Sequence, residues 1–492
     1  MTNHPEEHSG TRPAGLDSPS AFETVRAVKS GNLTAKAALE LSLDAIEREN
    51  GTLNAVVLMD VGGAQKAAEE LDRRRADGLD NGPLDGLPMT IKEAFHMEGL
   101  PTSWGIPEYQ DNVQSTDSVV ARRLRQAGAV LVGKTNLPQG MEDWETDNEN
   151  YGSTKNPWNN ALSAGGSSGG GAAAVASGML AADIGSDTGG SLQIPAHFCG
   201  IYGIKPTYNL TSVEGHTLGT DIRNQDMNTA GPLCRTPEDI DLILSAIAGP
   251  GEFDQPGWSL NLKRFDDRPL SSLRVAALLN HQSCPVDGTY LDVLHTYIEK
   301  LRSLGVTVDE GVYPDLNFDH ATKIFNKLVR SEGSTRLSDE QFKEVSELAN
   351  APGELTEREF LARLNAQGRT LSHRDWLRLH EDRLQIRRVW GQFFMNYDAL
   401  LCPVSSTAAP PLIESSTILE RTIVVNGENM PMLKQHLWSS MAVLPYLPAL
   451  TVPIGQTEAG LPVGINWLGP AFSDLKLTGM AESVMQKLPL LA

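Results

Sequence analysis

The sequence predicts an α/β protein: a single large α/β/α domain in which helices cover a mixed, largely parallel central sheet. Three observations carry this expectation. Helical and strand-like patterns alternate through the first half of the chain, as repeated strand–helix units do. The 492 residues are 40% hydrophobic and 21% charged, with 45 Gly and 29 Pro spread throughout, which supplies a large core and excludes collagen, coiled coil and wholesale disorder. No internal repeat or low-complexity linker divides the chain, so the polar helical stretch at about 320–394 reads as an insertion within one domain of residues 20–492. Residues 1–19 are polar, carry Glu6 and Glu7 without an apolar stretch behind them, and are expected to form a disordered start rather than a targeting signal.

Taken in order, residues 20–49 place Leu39, Leu43 and Ile46 on one helical face, after polar residues 32–34 that suit a helix start. A short strand is expected at 54–58, a charged helix at 63–76 and a turn-rich connection at 77–86 containing Gly82-Pro83. Residues 87–91 read as a strand. The stripe Val120, Leu124, Ala127 predicts a helix over 116–127, closed by Gly128 and followed by a buried strand at 129–132. A helix over 169–177 and a strand near 179–184 come next. After the helical stretch, whose last part carries Leu379, Ile386, Val389, Trp390 and Phe393, strand-like runs resume at 399–402 and 450–454.

Charge excludes one class of function. Lys and Arg total 41 against 62 Asp and Glu, a net charge of -21, which opposes the phosphate contacts that supply most nucleic-acid affinity. No window offers the run of 18 or more apolar residues that spans a bilayer; the Ala-rich 172–182 is broken by Ser177 and Gly178. The expected partners are therefore a small-molecule substrate and water, with no nucleic acid and no membrane, and with a homodimer left open. Cys199, Cys234, Cys284 and Cys402 are widely separated and read as reduced, buried thiols of a cytoplasmic protein. In the nearest approach to a zinc motif, His380-Glu381, Leu384 stands where the second ligand belongs; neither metal nor other cofactor is expected.

Two motif matches mislead. Gly128-Ala-Val-Leu-Val-Gly133-Lys134-Thr135 satisfies the P-loop pattern, yet a helix precedes Gly128 and the intervening residues read as strand, so their amides belong to a sheet and cannot wrap a phosphate. Gly166-Ser167-Ser168-Gly169-Gly170 matches a nucleophile elbow, but the preceding 153–164 is polar and turn-forming where the elbow needs an apolar strand. The glycines and serines around 165–171 and 185–191 flank the apolar stretch 172–184, which is buried material rather than linker. A helix of about nine residues travels roughly 14 Å and a strand of about six returns roughly 20 Å, so Ser167 and Ser191 can meet at one edge of the sheet. Lys92 lies at the carboxyl end of its strand, where open α/β sheets build their sites. A desolvated, neutral lysine can activate a serine, and the small-residue turn Thr188, Gly189, Gly190, Ser191 offers backbone N–H groups for an oxyanion.

These residues stand in a longer series. Leu87-Pro-Met-Thr-Ile-Lys92, Gly133-Lys-Thr-Asn136, Gly165-Gly-Ser-Ser-Gly-Gly170, Gly185-Ser-Asp-Thr-Gly-Gly-Ser191 and Phe198-Cys-Gly-Ile-Tyr-Gly-Ile-Lys-Pro-Thr207 are followed by Gly231-Pro-Leu-Cys-Arg-Thr236, Tyr397-Asp-Ala-Leu-Leu-Cys-Pro403 and Leu461-Pro-Val-Gly464. In that order they resemble the amidase signature family of serine hydrolases, from about residue 20 to 485. The resemblance implies a Ser-cisSer-Lys triad with Ser191 as nucleophile, Ser167 as the bridging serine on a cis peptide and Lys92 as base. It also implies hydrogen-bonded support from Ser168 and Asp187, while Lys134 reads as a buried structural lysine. The pattern departs at Gln193, where an arginine usually stands, at Gln139 in place of a common glutamate, and at Tyr446 where glycine is frequent.

The resemblance implies hydrolysis of an amide, with anilides, esters and carbamates as further substrates, through an acyl-enzyme. Because Gln193 removes a fixed positive charge near the nucleophile, and because the helical insertion, Trp438 and Tyr446 offer apolar surface, the expected substrate is neutral and fairly bulky. The A subunit of a glutamyl-tRNA amidotransferase, which shares the signature, is the alternative enzyme. A non-catalytic binding protein is the alternative outside enzymes, opposed by the presence of all three triad residues.

Overall fold

The computed structural model describes residues 9–488, apart from 267, 353–354 and 415. In chain order the strands are β1 (Val56–Met59), β2 (Pro88–Lys92), β3 (Val130–Thr135), β4 (Lys155–Asn156), β5 (Asn159–Ser163), β6 (Ala182–Asp187), β7 (Tyr202–Lys205) and β8 (Thr229–Cys234). They continue as β9 (Arg274–Ala277), β10 (Thr307–Glu310), β11 (Ala399–Pro403), β12 (Thr422–Val425), β13 (Glu428–Pro431), β14 (Ala449–Gln456) and β15 (Pro462–Leu468). Eleven of them form one sheet in the order β1-β3-β2-β6-β8-β7-β14-β15-β11-β9-β10, and β4-β5 and β12-β13 are separate ribbons. Both faces of the sheet are covered: along β3, Leu131 joins one hydrophobic cluster while Val130 and Val132 join another. That is the α/β/α layering the helix–strand alternation predicts.

The sheet is mixed, with a smaller parallel share than expected. β3-β2-β6 and β11-β9-β10 are parallel, whereas β1-β3 and every pairing from β6 through β8, β7, β14 and β15 to β11 is antiparallel. The helical crossovers read from the first half build only the parallel flank; the centre is laid down by antiparallel pairs such as β14 and β15.

The start of the chain departs from expectation as well. Gly10 N–H donates to Ala459 O and Thr11 N–H to Trp158 O, both at 2.9 Å, and Ala14–Asp17 forms a 3₁₀ turn. Backbone pairing with the folded domain orders residues 9–19, so the disorder expected there does not hold; residues 1–8 lie outside the described residues.

The stretch 320–394 is helical as read, as helices Phe318–Ser331, Asp339–Ala349, Glu357–Arg369 and His373–Phe393. They are inserted between β10 and β11, which belong to the same sheet. Helix Gly169–Ala176 is built from Gly, Ala and Val alone and is wholly buried. Its small side chains are a packing requirement, because a Cβ on Gly171 would fall 2.0 Å from Asp183 Oδ2 on β6. β6 begins at Ala182 rather than near 179: Leu180 N–H still bonds back to Ala174 O (3.4 Å), so residues 179–181 cross from helix to sheet and the strand carries Ser186 and Asp187.

Candidate active site

Lys92, Ser167 and Ser191 arrive from three directions. β2 runs parallel to β6 with Ile91 opposite Ile184, which puts Lys92, the last residue of β2, beside the end of β6. Ser191 lies four residues beyond that strand's last residue, and Ser167 precedes the N-cap Ser168 of helix Gly169–Ala176, at a cis Gly166–Ser167 peptide bond. Lys92 Nζ is 2.7 Å from Ser167 Oγ and 3.0 Å from Ser186 Oγ. The lysine is completely buried, and desolvation drives its pKa down to about 7, against the opposing pull of the Asp187 and Asp183 carboxylates. Ser167 and Ser191 line one cavity of about 90 Å³, where Ser191 is 8% exposed.

The surrounding polar groups hold this arrangement. Ser168 is fully buried; its N–H donates to Ser191 O (3.2 Å), its hydroxyl donates to Ser186 O (3.2 Å) and accepts from Ser186 N–H (3.3 Å). Its proton and one of its lone pairs are thus engaged by β6. Asp187 accepts from Gly190 N–H and Leu192 N–H, each at 2.8 Å, and from Gln193 Nε2 at 3.2 Å. Gly190 takes φ +107°, a conformation that favours glycine, and thereby turns its N–H onto Asp187. That amide is committed to the carboxylate, so Gly190 leaves the set of four N–H groups expected to receive an oxyanion.

The three pocket residues expected from sequence lie elsewhere. Gln193 begins helix Gln193–Cys199, is buried, and spans from Asp187 to Asn466, whose Nδ2 donates to its Oε1 at 2.9 Å. Its side chain faces the interior because its amide is needed there on both sides. Trp438 is fully buried in the main core. Tyr446 stacks on Tyr208 (4.3 Å between ring centroids), donates its hydroxyl to Asp226 at 2.5 Å and lies under the Arg383 guanidinium. None of the three lines the cavity.

The cavity is lined by the apolar Met141, Trp144, Phe325, Val329 and Ile418 together with the charged Glu142, Asp143, Arg330, Glu332 and Arg336, and by Thr188, Gly189 and His216 beside the two serines. Trp144 Nε1 donates to Gly189 O (3.1 Å), fixing the turn before Ser191. At its rim Glu142 pairs with Arg330 (3.3 Å), Arg336 (3.1 Å) and Arg369. An outer cleft of about 910 Å³ shares Glu142, Arg330, Arg336 and Ile418 with it and continues along the helical insertion. Sequence reasoning missed Ser186 and His216. Ser186 lies within the Gly185–Ser191 motif, but its approach to Lys92 comes from the pairing of β2 with β6, and nothing marked His216, a lone histidine after a turn.

The P-loop-like letters fall in β3. Lys134 Nζ there donates to Glu93 O (3.0 Å), Pro101 O (2.5 Å) and Thr102 Oγ1 (2.8 Å), the work of a structural lysine. No helix of the described residues is long and apolar enough to cross a membrane.

A lysine, two serines and a glycine-lined turn meet at the carboxyl ends of β2 and β6, an arrangement of the kind that nucleophilic acyl chemistry requires. Residues 37–478 match the Amidase family model. An acylamidase of Rhodococcus erythropolis is 32% identical over 460 residues, covering 91% of each chain. The A subunit of the glutamyl-tRNA(Gln) amidotransferase of Exiguobacterium sibiricum is 29% identical over 473 residues, covering 93% of this chain and 94% of its own. A solved amidase structure superposes with a TM-score of 0.78 at 27% identity, over 96% of this chain and all of the other. The chain belongs to the amidase signature family. It is an enzyme of the amidase type, acting on carbon–nitrogen amide bonds.

Proposed function

We propose that the protein hydrolyses a neutral, fairly bulky carboxylic amide, with anilides, esters and carbamates as related substrates, through the triad Lys92, Ser167 and Ser191. The observation that carries this is the 2.7 Å approach of a fully buried Lys92 amine to Ser167 Oγ, in the cavity that Ser191 shares. As a neutral amine, Lys92 takes the Ser167 proton while Ser167 takes that of Ser191, whose Oγ forms a bond to the substrate carbonyl carbon. The amides of Thr188, Gly189 and Ser191 receive the developing oxyanion. The proton returns through Ser167 to the leaving nitrogen as the C–N bond breaks. Water then repeats the sequence on the acyl-enzyme, releasing the acid.

Neutrality of the substrate is supported by Met141, Trp144, Phe325, Val329 and Ile418 in the wall and by the pairing of its charged groups, Glu142 with Arg330 and Arg336, Glu332 with Arg223 and Asp143 with Arg421, while Gln193 is engaged in the interior. The rim arginines are drawn toward Glu142. Bulk on the substrate is accommodated by the outer cleft beside the helical insertion. Four cysteines, all buried and unpaired, fit a cytoplasmic setting. A second reading, glutaminase within an amidotransferase, is favoured by the likeness to the Exiguobacterium amidotransferase chain over nearly the whole length. Turnover by the isolated chain separates them: a neutral anilide should exceed both glutamine and a carboxylate-bearing anilide of equal size in kcat/KM. A clear preference for the anion or for glutamine would overturn the substrate assignment.

A further inference from the structure

We infer that Glu142 is a specificity-determining residue: its carboxylate fills an anion subsite built by Arg330, Arg336 and Arg369, and so keeps carboxylate-bearing substrates out of the cavity that holds Ser191. The inference rests on the reading of the substrate as neutral and deepens it, by assigning that preference to one side chain. Three guanidinium groups converge on this carboxylate. Arg330 Nη1 is 3.3 Å from Glu142 Oε2, Arg336 Nη2 is 3.1 Å from Oε1, and Arg369 Nη2 pairs with Oε2. Three positive charges thus meet one negative charge, whereas Glu332 is matched by Arg223 alone, and Asp143 and Glu145 share Arg421. A single carboxylate cannot take up the donors of three guanidinium forks. Arg330, its side chain 10% exposed, accordingly keeps a buried Nε without a hydrogen-bond partner.

The cations are held in place by more than Glu142. Arg330 belongs to helix Phe318–Ser331, the Arg336 guanidinium lies over the Trp104 ring at 5.3 Å from its centroid, and Arg369 Nε donates to Asn365 Oδ1 (3.3 Å) at the end of helix Glu357–Arg369. The helical insertion therefore supplies all three cations, and the loop after β3 supplies the carboxylate. In that loop Gly140 and Met141 take left-handed φ values of +64° and +60°, a strained conformation for methionine that carries Glu142 to the arginines. Against desolvation, the charges of Arg330, Arg369 and Arg336 hold the Glu142 carboxyl below the usual glutamate range, so it is an anion at neutral pH. Glu142, Arg330 and Arg336 line both the inner cavity and the outer cleft, while Asp147 and Glu149 line the cleft alone. A substrate carboxylate coming from the cleft meets a like charge on cations that are already engaged. An uncharged side chain at 142 leaves the same arginines to receive it.

The test is the ratio of kcat/KM for a carboxylate-bearing anilide to that for a neutral anilide of equal size. The wild-type ratio should lie below one, and Glu142→Gln should raise it at least about tenfold, as expected for a new charge-assisted pair. Glu332→Gln removes a cavity carboxylate whose partner Arg223 is solvent-exposed, and should move the ratio less than about threefold. Adding Arg330→Gln to Glu142→Gln should take back most of the gain. Glu142→Gln combined with Arg369→Gln keeps the wild-type net charge and should still raise the ratio at least about threefold; it decides the matter should Glu142→Gln alone fail to fold. A ratio that stays within about threefold of wild type in Glu142→Gln, or rises equally in Glu332→Gln, would overturn the inference. A wild-type ratio above one would overturn the neutral-substrate reading beneath it, and with it the exclusion by Glu142.

Discussion

Lys92→Met is expected to abolish turnover and, in the same protein, to stabilise the fold. Burial lowers the lysine from 10.5 to about 7, and each unit is ~1.4 kcal/mol of preference for the neutral amine. At or below neutral pH the folded chain therefore bears a penalty of roughly 5 kcal/mol that the unfolded chain, with an ordinary lysine, does not. Methionine occupies similar space without charge and forgoes the hydrogen bonds to Ser167 and Ser186, worth ~1 kcal/mol each, leaving a net gain of roughly 3 kcal/mol. The folded pKa lies below the unfolded one, so between about 7 and 10.5 the unfolded chain binds more protons and wild-type stability recovers as pH rises. Lys134 and Lys205, lowered to about 8, act in the same direction, and Glu145, raised to about 8, acts in the opposite one. All three are common to both proteins and cancel in the difference. Chemical denaturation of the pair should show the variant more stable at pH 7, with the advantage gone by about pH 10. A variant less stable at both pH values, or a difference that ignores pH, would refute a neutral, desolvated lysine.

Other outcomes follow from the same geometry. As pH rises through about 7, kcat/KM on a neutral anilide should climb with the deprotonation of Lys92 and then level, and EDTA should leave it unchanged; activity lost to EDTA and restored by zinc would contradict a metal-free site. Gly190→Ala should destabilise by ~1 to 2 kcal/mol and lower kcat at least about tenfold, since its φ of +107° and the 3.1 Å approach of a Cβ to Ser439 Cβ would force its N–H off Asp187; an unchanged denaturation midpoint and rate would refute that role. Gln193→Leu removes one of three donors to Asp187, so kcat should fall alike for neutral and anionic substrates; a change of more than about threefold in their ratio would show that residue 193 selects charge after all.

Local signals and spacing reached the parts of the site that local chain geometry controls. The helix at 169–176 and the strand after it close an excursion whose length follows from residue counting alone, which is why Ser167 and Ser191 share a cavity as expected. Lys92 was legible because an apolar strand ends on it. Side-chain direction was not legible. Gln193 is two residues from Ser191, yet the first turn of helix Gln193–Cys199 aims it at Asp187 and Asn466, and an aromatic such as Trp438 belongs to the core unless something opens beside it. The antiparallel centre of the sheet escaped because β8, β14 and β15 pair at long range, and no periodicity records which neighbour a strand will take. His216 escaped for a related reason: its partners Ser186 and Lys92 meet it only in the fold.

The central claim is that Ser191 is the nucleophile. Treating the wild-type chain and Ser191→Ala with a phosphonylating reagent, followed by mass spectrometry of the digested protein, tests it without knowledge of the natural substrate. The wild type should take up one equivalent on the peptide containing Ser191, and the variant should take up none while losing several orders of magnitude in turnover. Labelling that persists in Ser191→Ala, or that maps to Ser168, would contradict it.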